Sequence, residues 1–122
     1  DLESLSGTSG IDFSESEQWT GKRWLDGKKV YQRTVTFTEE LIVGTPKYIP
    51  HNISNLDNVL HFIGNFRTSA KTVGTLPHIS QMFPDEPIAC SVQPESIFLA
   101  AHGKNRPSYQ YFITVLYTKT TD

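Results

Sequence analysis

A chain of 122 residues is long enough for one domain with a core of its own. Its 11 Lys and Arg against 13 Asp and Glu leave a formal net charge of -2, without the basic excess of a nucleic-acid binder, so no nucleic-acid partner is expected. No run approaches the roughly 18–20 apolar residues that span a bilayer, and Asp1-Leu2-Glu3-Ser4 is neither basic nor followed by an apolar segment, so neither membrane insertion nor a leader is expected.

Residues 1–16 are rich in Ser, Gly and acidic side chains and read as a flexible linker or stalk end; residues 17–122 read as a single domain. The domain opens on Trp19-Thr20-Gly21-Lys22-Arg23-Trp24-Leu25-Asp26-Gly27-Lys28-Lys29-Val30-Tyr31, a hairpin signal. Asp26-Gly27 supplies the positive-φ residues of a tight turn, with strand formers on both sides. Trp19 and Trp24, flanking that turn, could serve as sugar platforms but are expected in preference to cap the core. From Val30 to Thr38 the chain alternates, with Tyr31, Arg33, Val35 and Phe37 on one face and Gln32, Thr34, Thr36 and Thr38 on the other. Leu41-Ile42-Val43 is a short apolar run closed by Gly44-Thr45-Pro46.

His51-Asn52-Ile53-Ser54-Asn55-Leu56-Asp57 is a polar knot whose side chains suit a tight, structured connector. The next strand, Val59 to Phe66, places Leu60, Phe62 and Phe66 on one face and Val59, His61 and Ile63 on the other. Residues 68–87, with few apolar anchors, read as a long loop of the kind that carries function. Ile88 to Val92 and Ser96 to Ala101 are short strands separated by the turn Gln93-Pro94-Glu95. Tyr109 to Thr118 is the longest strand, with Tyr109, Tyr111, Ile113, Val115 and Tyr117 on one face and Phe112 and Leu116 on the other. A half-exposed strand alternates more cleanly. Either both faces are covered within one subunit, or one face meets a neighbouring subunit. No segment holds a helical period, and seven prolines and eight glycines punctuate the chain, so an all-β sandwich or barrel is expected.

Motifs for catalysis are wanting. There is no nucleophile elbow, phosphate-cradling loop or zinc-hydrolase helix. Glu39-Glu40 and Asp85-Glu86 are neighbours that point to opposite faces of a strand. The spacings of His51, His61, His78 and His102 fit no ligand motif, so neither metal nor cofactor is expected, and His61 is expected to pack within its strand. Cys90, alone in an apolar run, reads as a buried structural thiol; a single cysteine excludes an internal disulfide and favours assembly in a reducing compartment. Sugar sites pair aromatic faces with planar polar groups. The loop residues Gln81, Phe83 and Asp85, together with His102, Lys104, Asn105, Arg106 and Tyr109, offer that mixture and form the candidate ligand-binding set.

Gly21 to Thr34 and the terminal Tyr117-Thr118-Lys119-Thr120-Thr121-Asp122 resemble the carboxy-terminal module of phage and prophage tail fibres. That family carries Gly-x-x-Trp-hydrophobic-Asp-Gly-Lys-x-hydrophobic-Tyr-x-Arg/Lys-Thr and ends in Tyr-Thr-Lys-Thr-Thr-Asp or a close variant. The connector Ile49 to Asp57 is similar to its Pro-His-x-Ile-x-Asn-hydrophobic-Asp stretch, whereas residues 64–108 align with nothing. The resemblance implies a jelly-roll-like antiparallel β-sandwich at the tip of a tail appendage, assembled as a homotrimer in the bacterial cytoplasm and carried on the virion tail. It implies non-enzymatic recognition of a host cell-surface glycan or other receptor, with the shared segments as scaffold and the unshared loops as the specificity element. A monomeric bacterial carbohydrate-binding module is the alternative, followed by a polysaccharide-depolymerising tip.

Overall fold

Alternation along the chain becomes strands, and the computed structural model describes residues 12–68, 73–76 and 88–121. Among these residues the elements are β1 (Gln18–Arg23), β2 (Lys29–Leu41), β3 (Lys47–Pro50), β4 (Leu56–Arg67), β5 (Val73–Leu76), β6 (Ile88–Val92), β7 (Ser96–Ala101) and β8 (Arg106–Lys119). They form a five-stranded sheet in the order β1-β2-β8-β4-β5 and a three-stranded sheet in the order β3-β7-β6, with every pairing antiparallel. The pairings β2 with β8 and β3 with β7 are nested, the wrap expected of a jelly-roll-like sandwich.

The inward residues of β8 (Tyr111, Ile113, Val115 and Tyr117) and those of β7 (Ile97, Leu99 and Ala101) are all buried in one core shared by both sheets. The opposite face of β8 is different. There Thr114 shares a 2.8 Å hydrogen bond with Thr34, Phe112 and Leu116 are half-buried, and Ile63 on the adjacent strand is 54% exposed. No described strand lies over that face. Its apolar centre is therefore not explained by a second covering layer among the described residues.

Three expectations are corrected. Leu60 was expected to share a face with Phe62, but the register of β4 against β8 shifts between Val59 and His61. This bulge turns Val59 onto the core side with Phe62 and Phe66, and leaves His61 exposed instead of packed. Second, the hairpin turn has a single positive-φ residue, Gly27. The Gly27 N–H donates to the Trp24 carbonyl at 2.9 Å and the Trp24 N–H to the Lys28 carbonyl at 2.8 Å, a three-residue loop closed by a glycine bulge. Third, the tryptophans do not cap the core: Trp19 is 45% and Trp24 40% exposed, and Leu25 at the tip is 93% exposed. Trp24→Ala is accordingly expected to cost only about 1 kcal/mol or less, measured by thermal melt.

The stretch read as one long loop contains β5, which pairs with β4 through Gly64–Leu76, Asn65–Thr75, Phe66–Gly74 and Arg67–Val73. The turn between β6 and β7 is as expected, closed by the Gln93 N–H donating to the Ser96 carbonyl at 2.8 Å. Cys90 is half-buried against the core, and burial raises its thiol pKa to about 11, so it stays protonated at neutral pH.

Candidate functional site

The expected ligand set divides on inspection. Gln81, Phe83 and Asp85 lie outside the described residues. His102, Lys104 and Asn105 are exposed on the β7–β8 loop, where Gly103 adopts a φ of 77°. Asn105 is committed to architecture: its Oδ1 accepts the Val43 N–H at 2.8 Å, tying this loop to the turn after β2. Arg106 was expected on a loop; it opens β8, pairs with Leu41 and is buried. Tyr109 is half-buried, its ring stacked on Phe66 with centroids 5.4 Å apart. Arg106 and Tyr109 thus serve the sheet and its packing; of the described members of the set, His102, Lys104 and Asn105 are exposed, and Asn105 is tied to Val43.

At the other end of β8, some 40 Å along a strand of this length, the three segments that carry the resemblance converge. Glu17 accepts the Tyr117 hydroxyl at 2.5 Å through Oε1 and the Lys119 ammonium at 2.9 Å through Oε2. Asp57 projects from a bulge at the start of β4, where Leu56 pairs with Lys119 and Asn58 with Thr118. Its Oδ2 accepts Lys28 at 2.9 Å and the Thr118 hydroxyl at 3.2 Å. The connector supplies the remaining ties. Asn52 and Asn55 adopt φ of 57° and 55°, a left-handed conformation that asparagine tolerates better than most residues. The Asn52 carbonyl accepts Arg33 at 2.9 Å, and the Asn55 carbonyl accepts the Thr120 N–H at 2.7 Å. His51 is buried beneath them, bonded through Nε2 to the Gln93 carbonyl at 2.8 Å and through Nδ1 to the Ile53 N–H at 3.2 Å.

These contacts fix protonation states. The Lys28 hydrogen bond, aided by the Lys28 charge and the Thr118 hydroxyl, outweighs desolvation and holds the Asp57 carboxyl below its ordinary 3.8. A lowered folded-state value stabilises the protein above the unfolded value and loses that stabilisation as pH falls through the folded one. The melting-temperature gap between wild type and Asp57→Asn should therefore be widest near about pH 6 and close in acid below the ordinary carboxylate range. A gap unchanged across that window would show that the Asp57 charge does not matter. Burial, followed by the hydrogen bond to Glu17, raises the Tyr117 phenol, which stays the donor to that carboxylate.

Beside this network lies a shelf of aromatic rings and cations. Trp19 pairs with Tyr31 across β1 and β2, and Arg23 with Lys29, so all four side chains share one face. Two extra residues of β1 between these pairs, around Gly21 with φ 85°, bring Arg23 back onto that face. The Lys29 ammonium lies 4.9 Å and the Arg23 guanidinium carbon 5.7 Å from the Trp19 ring centre, while Lys119 lies 5.5 Å from the centre of Tyr31. The Trp19 indole N–H is spent on the Lys22 carbonyl at 3.1 Å, which holds the ring in place. In the sequence Trp19 was read as a core cap in preference to a sugar platform, and the cations beside its ring carried no signal of their own.

No family model, curated protein or solved structure matches the chain. Among the described residues no group of His, Cys, Asp and Glu side chains is arranged to hold a metal ion, and no helix is long and apolar enough to cross a membrane.

Proposed function

We propose that this chain is a non-enzymatic tip domain of a phage or prophage tail fibre, which assembles as a homotrimer and attaches the particle to a saccharide on the host surface. The observation that supports this reading most is the convergence of the hairpin, the connector and the terminal segment. Residues 21–34, 49–57 and 117–121, far apart in the chain, are joined by the Lys28–Asp57, Asp57–Thr118, Arg33–Asn52 and Asn55–Thr120 contacts into one frame, to which Glu17, just ahead of the first segment, adds its bonds to Tyr117 and Lys119. A pattern shared with tail-fibre modules then has a physical reason to stay together: each part satisfies polar groups of the others. The trimer is supported by the face of the five-stranded sheet over which no described strand lies, where Ile63, Phe112 and Leu116 form an apolar centre bordered by Gln32, Thr36 and Asn65. A second copy of the chain is the occupant of that face.

A glycan array that includes bacterial surface polymers, probed with the labelled protein, tests recognition. Selective capture on one saccharide class supports the proposal, and an array without any bound feature contradicts it. A monomeric carbohydrate-binding module is the second reading, favoured by the exposure of Trp19, and the mass of the protein in solution separates the two.

A further inference from the structure

We infer that the outward face of the three-stranded sheet, where Tyr48 and Phe98 meet, is the saccharide site, and that its ligand is a neutral sugar. This rests on the reading of the chain as a saccharide-recognising tip and adds where the sugar sits and what charge it lacks.

The pleat sorts the residues of that sheet into two sides. Ile49, Cys90, Val92, Ile97 and Leu99 pack on the core, and the residues between them point away from it. On that outward side Tyr48 pairs with Phe98 and Phe98 with Ser91, one row across β3, β7 and β6. Tyr48 lies on an edge strand and is 56% exposed. Its ring is tilted by 57° against that of half-buried Phe98, with centroids 5.4 Å apart. The flanking residues on the same side are compact: Ser96 and Ala100 beside Phe98, Ala89 beside Ser91, and Pro50 beside Tyr48. The two rings therefore stand above their neighbours, on a side over which no described strand lies.

The apolar C–H face of a pyranose stacks on an aromatic ring, while its hydroxyls need directional partners. Tyr48 supplies a ring and a hydroxyl together, and the Ser91 and Ser96 hydroxyls border the pair. Charge then sets the class of sugar. The outward side of the three strands carries no charged residue, and Lys47, next to Tyr48 in β3, points the other way with its ammonium 3.5 Å from Glu39. An acidic sugar would leave its anion without a counter-charge there, and a nucleic acid would find no cation for its phosphates. Size argues against a protein partner. Three strands about 4.8 Å apart, the longest of six residues, cover about 300 Å². Each partner in a stable protein interface gives roughly 800 Å². A second copy of the chain has its place on the other side of the sandwich, over the apolar face of the five-stranded sheet. A trimer built through that face leaves the Tyr48 side open on every subunit.

The test uses an array of neutral and acidic bacterial surface polymers, probed with wild type, Tyr48→Ala, Tyr48→Phe and, as the other exposed aromatic, Trp19→Ala. Wild type should capture at least one neutral polymer, with a signal that added salt leaves unchanged. Calorimetry with the captured polymer should then read an affinity at least about ten-fold lower for Tyr48→Ala, which loses the ring. Tyr48→Phe keeps the ring and should stay within about three-fold of wild type. Trp19→Ala should bind as wild type does. Circular dichroism melts verify that the variants are folded. Equal binding by wild type and Tyr48→Ala overturns the site while the tip reading stands, and a loss as large for Tyr48→Phe as for Tyr48→Ala overturns stacking on the ring. Capture of acidic polymers alone, or binding that fades as salt rises, overturns the neutral ligand. A wild type that captures no polymer contradicts the tip reading itself.

Discussion

Replacing Tyr117 with alanine should cost about 3–5 kcal/mol of folding stability, the range for deleting a fully buried aromatic side chain. Tyr117 is inaccessible to solvent, stacks on Tyr31 at a centroid distance of 6.1 Å, and donates its hydroxyl to Glu17. Its loss therefore opens the core and removes one of the two bonds, the other from Lys119, that tie Glu17 before β1 to the last strand. Tyr117→Phe isolates the second effect and should cost about 1–2 kcal/mol, as expected for a hydrogen bond to a partly solvated carboxylate. Tyr111 provides the contrast on the same strand. Its hydroxyl is buried without a hydrogen-bond partner among the described residues, and burial raises its pKa. Tyr111→Phe removes a desolvated polar group and should leave stability unchanged or raise it by up to about 1 kcal/mol. Urea unfolding of the three variants checks the signs. Equal losses for Tyr111→Phe and Tyr117→Phe would show that the Glu17 bond contributes nothing.

Gly74→Ala should cost about 1–3 kcal/mol, because a methyl group there would sit 2.3 Å from Cζ and 2.5 Å from Cε1 of Phe66. Phe66 cannot swing aside cheaply: it is buried, stacked on Tyr109 and tilted against Tyr111 at 6.0 Å. The ring lies over the glycine opposite it in the β4–β5 pair, so the absent side chain is what admits it. Pairing Gly74→Ala with Phe66→Leu should recover part of the loss that the two single changes sum to, a coupling that a double-mutant cycle reads directly. Strict additivity would place the ring elsewhere.

Which strands were legible follows from where their information resides. β6 and β7 begin and end at the expected residues because Gln93-Pro94-Glu95 marks the turn locally, and β8 is evident because its inward side chains repeat every second residue. β5 was not visible: Gly74 carries no side chain, and its place in the sheet is decided by Phe66 on the partner strand. The bulge at Val59–His61 was equally hidden, since an extra residue reverses the faces without any local mark, and β8 alone reveals it.

The candidate site shows the same division. Arg106 and Tyr109 carry the residue types of a sugar site, but Arg106 is buried at the start of β8 and Tyr109 is taken up by the stack on Phe66. Trp19 and Trp24 were expected inside because a tryptophan flanking a hairpin more often caps the core than offers a sugar platform; the overhang of β1, which contacts β2 alone in the sheet, leaves Trp19 outside. The polar knot at residues 51–57 is a structured connector as expected, while its role in joining three distant segments required the fold.

The central claim is that this domain is the self-assembling tip of a tail appendage, with Phe112, Leu116 and Ile63 covered by further copies of the chain. Light scattering of the purified protein, at concentrations well above micromolar, tests it most directly. The expected mass is three times the 13.8 kDa of the chain, falling towards one chain mass in Leu116→Asp, which places a charge at the centre of the apolar face. A wild-type mass of one chain at every concentration would contradict it.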